Sequence, residues 1–145
     1  MKISSKGRYA LRMMIDIAQH NTGEWVSLKD ISKRKDISIK YLEQIVTSFT
    51  KTGLLLSTRG PQGGYMLAKS PEKYTTGEII RAIEGPLAPV ACLENEPNLC
   101  ERQGICPTIH FWEGLYDVIN KYVDSVTLQD LINACHSNES YDYSI

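Results

Sequence analysis

Gly53-Leu54-Leu55-Leu56-Ser57-Thr58-Arg59-Gly60-Pro61-Gln62-Gly63-Gly64-Tyr65-Met66-Leu67-Ala68 reads as two short strands around a glycine-rich turn, with Gly53 placed to close a preceding helix. Glycine-rich loops that cradle nucleotide phosphates lead from a strand into a helix, whereas this one leads from strand to strand. The stretch is therefore a β-hairpin. Glycine permits positive φ and close backbone approach. Arg59 and the turn residues Gly60, Gln62 and Gly63 can thus press on a sugar-phosphate strand or enter a minor groove.

Working back from the hairpin, Ser27-Leu28-Lys29-Asp30 has the form of a capping box and opens a short helix that runs to about Arg34. A tight connection follows at Lys35-Asp36-Ile37. Ser38 then caps a second helix, residues 39–51, with Leu42, Ile45, Val46 and Phe49 on one face. Two short helices with core positions at Leu28, Ile31, Ile37, Leu42 and Ile45 make a helix-turn-helix. The opposite face of the second helix carries Ser38, Lys40, Tyr41, Glu43 and Gln44, beside Thr47 and Ser48. Gln can pair with adenine, Glu can accept from cytosine, and Lys and the hydroxyls can reach phosphates. Taken alone, that face is equally an ordinary solvated one, and it is the hairpin behind it that favours DNA. A first helix over residues 5–20 repeats Ala10, Leu11, Met14, Ile17 and Ala18 at helical spacing, with Lys6 and Arg8 at its basic end as candidate phosphate contacts. Helix, helix-turn-helix and hairpin, in that order, predict a winged helix: mainly α with a small β-hairpin.

Beyond the wing, Thr75-Thr76-Gly77-Glu78 opens a helix with Ile79, Ile80 and Ile83 that Gly85-Pro86 ends. Next comes Cys92-Leu-Glu-Asn-Glu-Pro-Asn-Leu-Cys100-Glu-Arg-Gln-Gly-Ile-Cys106, three of the four cysteines on one loop-forming segment. In a reducing compartment such a cluster points to a metal or a redox thiol before a disulfide framework. Pro107 then suits a first helical position, and Ile109, Trp112, Leu115 or Tyr116, Ile119 and Tyr122 or Val123 recur over residues 107–124. This long helix leaves a domain that already has a core, so its apolar stripe is expected to pair with a second copy, giving a homodimer. Folding back on its own domain is the rival arrangement. Thr127-Leu128-Gln129-Asp130 caps a last short helix ending near Cys135, followed by a polar tail. The expected organisation is a DNA-binding domain over residues 1–85, a cysteine loop over 86–106, dimerisation and short terminal helices over 107–135, and a tail over 136–145.

Charge divides along the chain. Residues 1–70 carry 12 Lys and Arg against 5 Asp and Glu, and residues 71–145 carry 4 against 12, so a balance of +7 is followed by one of −8. A basic half suits a polyanion, while an acidic half must lie away from it. No apolar run approaches the about 18 residues of a membrane span, and the first residues lack the apolar core of a signal peptide. A cytoplasmic location with no membrane partner is expected.

Ile3-Ser4-Ser5-Lys6-Gly7-Arg8-Tyr9-Ala10, Ile37-Ser38 with Tyr41-Leu42-Glu43-Gln44, Gly53-Leu54, Arg59-Gly60-Pro61-Gln62-Gly63-Gly64-Tyr65 and the three cysteines before a Trp112-bearing helix resemble the IscR-like transcription regulators of the Rrf family. The similarity runs from Met1 to about Leu131. It implies a winged-helix homodimer with crossed dimerisation helices, bound to a pseudo-palindromic double-stranded operator, with one iron-sulfur cluster per subunit. Carried over residue by residue, the cluster ligands are Cys92, Cys100 and Cys106; the cluster is of two-iron or four-iron type. The family places a histidine three residues after the third cysteine. Here that position is Ile109, and His110 follows one place later, a rotation of about 100° on a helix. His110 is the candidate fourth ligand, with Glu84, another loop carboxylate or a group from the second subunit as alternatives. Two rival readings keep the fold but change the chemistry: a structural zinc site of three Cys and one His, or a cluster-free thiol redox sensor. With no Cys-x-x-Cys pair and no general base beside any cysteine, an enzyme is not expected.

Overall fold

A computed structural model describes residues 2–143, with side chains to residue 138. The elements are α1 (Ser5–Gln19), α2 (Leu28–Lys35), α3 (Ile39–Lys51), β1 (Leu55–Thr58), β2 (Gly64–Leu67), α4 (Thr76–Glu84), α5 (Ile109–Ser125) and α6 (Leu128–Tyr143), with single 3-10 turns at Pro71–Lys73 and Ala91–Leu93. Five helices begin on a hydroxyl that accepts a backbone N–H from the first turn: Ser4 for α1, Ser27 for α2, Ser38 for α3, Thr75 for α4 and Thr127 for α6. Asp36, in the left-handed region at φ 52°, closes α2 and turns the chain into α3. Gly53 at φ 75° closes α3, as the sequence predicts.

The core gathers Met13, Met14 and Ile17 of α1, Ile31 of α2, Leu42, Ile45 and Phe49 of α3, and Ile79 of α4. Beneath it lies an ion pair. Asp16, fully buried, receives hydrogen bonds from Arg34, from Nε at 3.0 and 3.3 Å and from Nη2 at 2.8 Å, which fixes α2 on α1. Arg34 is held above its ordinary value, chiefly by the bond to Asp16.

β1 and β2 pair antiparallel with Leu55 opposite Leu67 and Thr58 opposite Gly64. A third stretch joins them, since Val26 and Tyr65 exchange both backbone hydrogen bonds at 2.9 and 2.8 Å. Only glycine fits at position 64: a Cβ there would stand 2.3 Å from the Val26 carbonyl oxygen. Buried Tyr74 ties the base of the wing, donating to the Leu54 carbonyl at 2.6 Å and accepting from the Ala68 N–H at 2.8 Å. Its burial raises the phenol above its usual range.

The last third of the chain does not stand apart. Leu128 and Ile132 of α6 enter the same core, and α5 is clamped to α4. Arg81 donates to both carboxylate oxygens of Asp124 at 2.8 and 3.0 Å and to Asn120 at 2.8 Å, while the Thr76 hydroxyl donates to the Val123 carbonyl at 2.7 Å. The stripe expected on α5 is therefore two stripes. Ile109 is buried, and Trp112, Tyr116, Ile119 and Val123 are half-buried, whereas Phe111, Leu115, Val118 and Tyr122 form a separate exposed row. Helix α5 begins at Ile109, two residues later than the sequence predicts, because the first helical bond runs from the Trp112 N–H to the Thr108 carbonyl. Helix α6 opens on the predicted Thr127–Asp130 capping box but passes Cys135 and runs to Tyr143, with no Gly or Pro to stop it. The expected tail is helical over 136–143, and residues 144–145 lie outside the described part.

Candidate nucleic-acid interface and cysteine segment

Helix α3 turns Leu42, Ile45, Val46 and Phe49 inward, which leaves Ser38, Lys40, Glu43 and Gln44 exposed on its outer face. Tyr41 differs from the sequence expectation. It is half-buried, edge-on to Tyr9 of α1 with ring centroids 5.6 Å apart, and Arg12 lies over Tyr9 at 5.4 Å. Tyr41 thus seats α3 on α1 with only part of its ring free. In the wing turn Arg59, Gly60 and Gln62 are exposed and Gly63 is half-buried, with Gly60 at φ 110°. Lys6 and Arg8 sit on the first two turns of α1, where Arg8 donates to Ser5 at 3.0 Å. The start of α1 is itself anchored from a distance. The Glu84 carboxylate accepts from the Ser4 N–H at 2.9 Å and from the Ser4 hydroxyl, so Glu84 belongs to the α1 junction and is not turned to the cysteines. A Cβ at Gly7 would come within 2.4 Å of Glu84 Oε1, so a larger residue there would have to displace that carboxylate.

The cysteine segment contrasts with this framework. Cys92, Cys100, Cys106 and Cys135 are free thiols; Cys100 is exposed and the others half-buried. Helix α5, unlike α1 to α4, has no side-chain cap at its start. The hydroxyl of Thr108, at that start, instead accepts from the Trp112 indole at 3.2 Å and contacts the Cys106 sulfur at 3.6 Å. The Thr108 hydroxyl, with the backbone at Thr108 and Ile109, holds the Cys106 thiol below its usual range. Thiolates are soft donors suited to iron or zinc, so the chemistry of the set fits a metal or cluster. Its arrangement is open. Among the described residues no three Cys, His, Asp or Glu side chains converge as a ligand group. His110, the predicted fourth ligand, is 95% exposed and lies 3.5 Å from Glu113 on its own helix. The structure does not bring it to the cysteines, because its position on α5 turns it to solvent. Cys135 lies on α6, outside the segment, as expected.

Residues 3–134 match the family model described as Rrf2, iron-dependent transcriptional regulator. The chain belongs to the Rrf2 family. It is 38% identical over 144 residues to the Rrf2 protein of Nitratidesulfovibrio vulgaris, covering 94% of this chain and 95% of that one. It is 41% identical over 131 residues to the transcriptional regulator CymR of Bacillus subtilis, covering 90% and 89%. The solved structure of that CymR, the global cysteine regulator, superposes with a TM-score of 0.73 at 40% identity, over 92% of this chain and 98% of that one. T. potens IscR superposes with a TM-score of 0.72 at 37% identity, over 93% and 88%. The Rrf2-family chain is thus a winged-helix transcription regulator, as the motifs imply. Sequence reasoning missed Thr108, whose only signal is its place between Cys106 and the helix. No helix of the described residues is long and apolar enough to cross a membrane.

Proposed function

We propose that this chain is a cytoplasmic, homodimeric regulator that reads a pseudo-palindromic operator with two α3 helices and two wings, its affinity set by the state of Cys92, Cys100 and Cys106. One observation carries this reading: three free thiols lie on the segment that joins α4 of the winged unit to α5. Because Arg81 and Thr76 clamp α5 to α4, a change in that segment bears on the frame that positions α3. The exposed row Phe111, Leu115, Val118 and Tyr122 has the 4-3-4 spacing of a helix-helix seam. Pairing through it would set two recognition helices about 34 Å apart, one turn of duplex. Lys40 and Arg59 would hold phosphates, and Glu43 and Gln44 would read bases, Gln44 pairing with adenine. Lys6 and Arg8 would add phosphate contacts beside the Glu84 anchor.

In the cluster reading, Cys92, Cys100 and Cys106 would hold an iron-sulfur cluster of two-iron or four-iron type. When bound, the group supplies a redox-active cross-link between the three thiolates. The segment would close around it and define the start of α5, which lacks a cap of its own. A second reading rests on the acidified Cys106 and on the likeness to the global cysteine regulator: the same thiols act without a metal. Anaerobically isolated protein distinguishes them. Visible absorption with stoichiometric iron and sulfide supports the cluster, bound zinc supports a structural site, and a colourless, metal-free protein whose DNA affinity changes with thiol oxidation supports the second reading. If Ser at all three positions leaves affinity for every recovered operator unchanged under each condition, the segment is not the switch.

A further inference from the structure

Trp25 lies in the connection between α1 and α2, immediately before Val26, which pairs with Tyr65 of β2. Side chains alternate along an extended strand. Val26 points into the core, so Trp25 points the other way, toward the outside of the wing. Two shallow hollows meet at its indole, and both share Pro61 and Gln62 of the wing turn. Their chemistry differs. The first includes the carboxylates of Glu24 and Asp30, which repel a phosphate. The second is completed by Thr58, Arg59 and Gly60, with no carboxylate in it. The ring is 36% exposed, one of the few large apolar side chains the winged half leaves in water, with Ile39 and Leu56. Its N–H has no acceptor among the described residues.

The geometry points to Trp25 as a DNA-interface residue: its indole backs the wing turn and lays its free face on the sugar-phosphate strand that Arg59 engages. The inference rests on the DNA-binding reading above. It assigns the Arg59 hollow as the path of that strand, and the Glu24-Asp30 hollow as the side turned away. An aromatic ring beside an Arg at a groove edge offers apolar contact to deoxyribose and a donor to phosphate, independent of base sequence. The backing also restrains the glycine-rich turn, so Arg59 meets the duplex with less freedom to lose.

The test uses duplexes recovered by in vitro selection with the wild-type chain. Since the chain has 2 tryptophans, a Trp112→Phe background leaves Trp25 as the single reporter. Bound duplex is expected to shield Trp25 from iodide quenching. Trp25→Ala should weaken binding roughly tenfold, the size of one lost ring contact, and Trp25→Phe should restore most of it. The salt dependence should keep its slope, because no phosphate-bound charge is removed. Iodide quenching unchanged at saturating DNA, with binding confirmed by anisotropy, overturns the assignment, as does wild-type affinity in Trp25→Ala. If that variant fails to fold, the shielding measurement and Trp25→Phe still decide. A wild-type chain that selects no duplex defeats the DNA-binding reading itself, a distinct outcome.

Discussion

Between Ser4 and Glu84 each helix starts on a hydroxyl cap, the buried Asp16 carboxylate paired with Arg34 joins two of the helices, and Tyr74 ties down the wing. Between Gly85 and Thr108 the chain leaves two large apolar side chains exposed, Leu99 and Ile105, and ends at an uncapped helix. Asn98 makes one bond inside this segment, accepting from the Cys100 N–H at 2.8 Å, while its own buried amide nitrogen has no partner. The proposed function would divide its work between these two regions. A DNA reader needs α3 and the wing held before the duplex arrives, since freedom lost on binding weakens it. A segment that senses, as proposed for this one, would need the reverse, few interactions of its own, so that ligation or oxidation of its thiols could change its shape.

The largest expected effect tests the rigid half. Arg34→Met leaves the Asp16 carboxylate buried with only His20, 3.6 Å away, beside it, and should cost about 3 kcal/mol in denaturant unfolding. Loss of under about 1 kcal/mol would mean that the pair is not what holds α2 on α1. Next, Gly64→Ala forces a Cβ against the Val26 carbonyl and should cost about 2 kcal/mol while loosening the wing, read as amide exchange at Val26 and Tyr65. A smaller effect belongs to the α4–α5 clamp. Arg81 holds the Asp124 carboxyl below its ordinary value of 3.8, so the clamp's contribution is present above that pH and is lost as pH falls through the lower folded value. The thermal midpoints of wild type and Asp124→Asn should therefore differ at neutral pH and converge in acid. The smallest effect is in the cysteine segment: a Cβ at Gly104 meets open space, so Gly104→Ala should change stability by less than about 0.5 kcal/mol. A cost there as large as that of Gly64→Ala would erase the contrast between the two regions.

Much of the rigid half was legible because its signals are local. Ser27, Ser38 and Thr75 sit directly before apolar periodicity, and Gly53 follows it directly, so the caps and helix limits could be read within a residue or two. The glycine-rich turn between strand-forming residues likewise declares a hairpin. Contacts between distant residues leave no such mark. The Asp16-Arg34 pair spans 18 positions and the Ser4-Glu84 contact 80, and neither has a spacing rule to reveal it. Tyr41 follows the same logic, since its pattern fits the outer face of α3 and only the arrival of Tyr9 from α1 half-buries it.

The amino-acid sequence by itself determined the winged helix, the order of its parts, the residues on the outer face of α3 and the gathering of three thiols on one segment. Caps, periodicity and turn chemistry act over a few residues, so those features are written locally. Tertiary structure alone decided which apolar row of α5 faces its own domain and which is left exposed, that Glu84 serves α1, that His110 faces solvent, and that Trp25 stands beside Arg59. Each depends on a second element arriving from far along the chain, and packing, not local preference, settles where a side chain finally points.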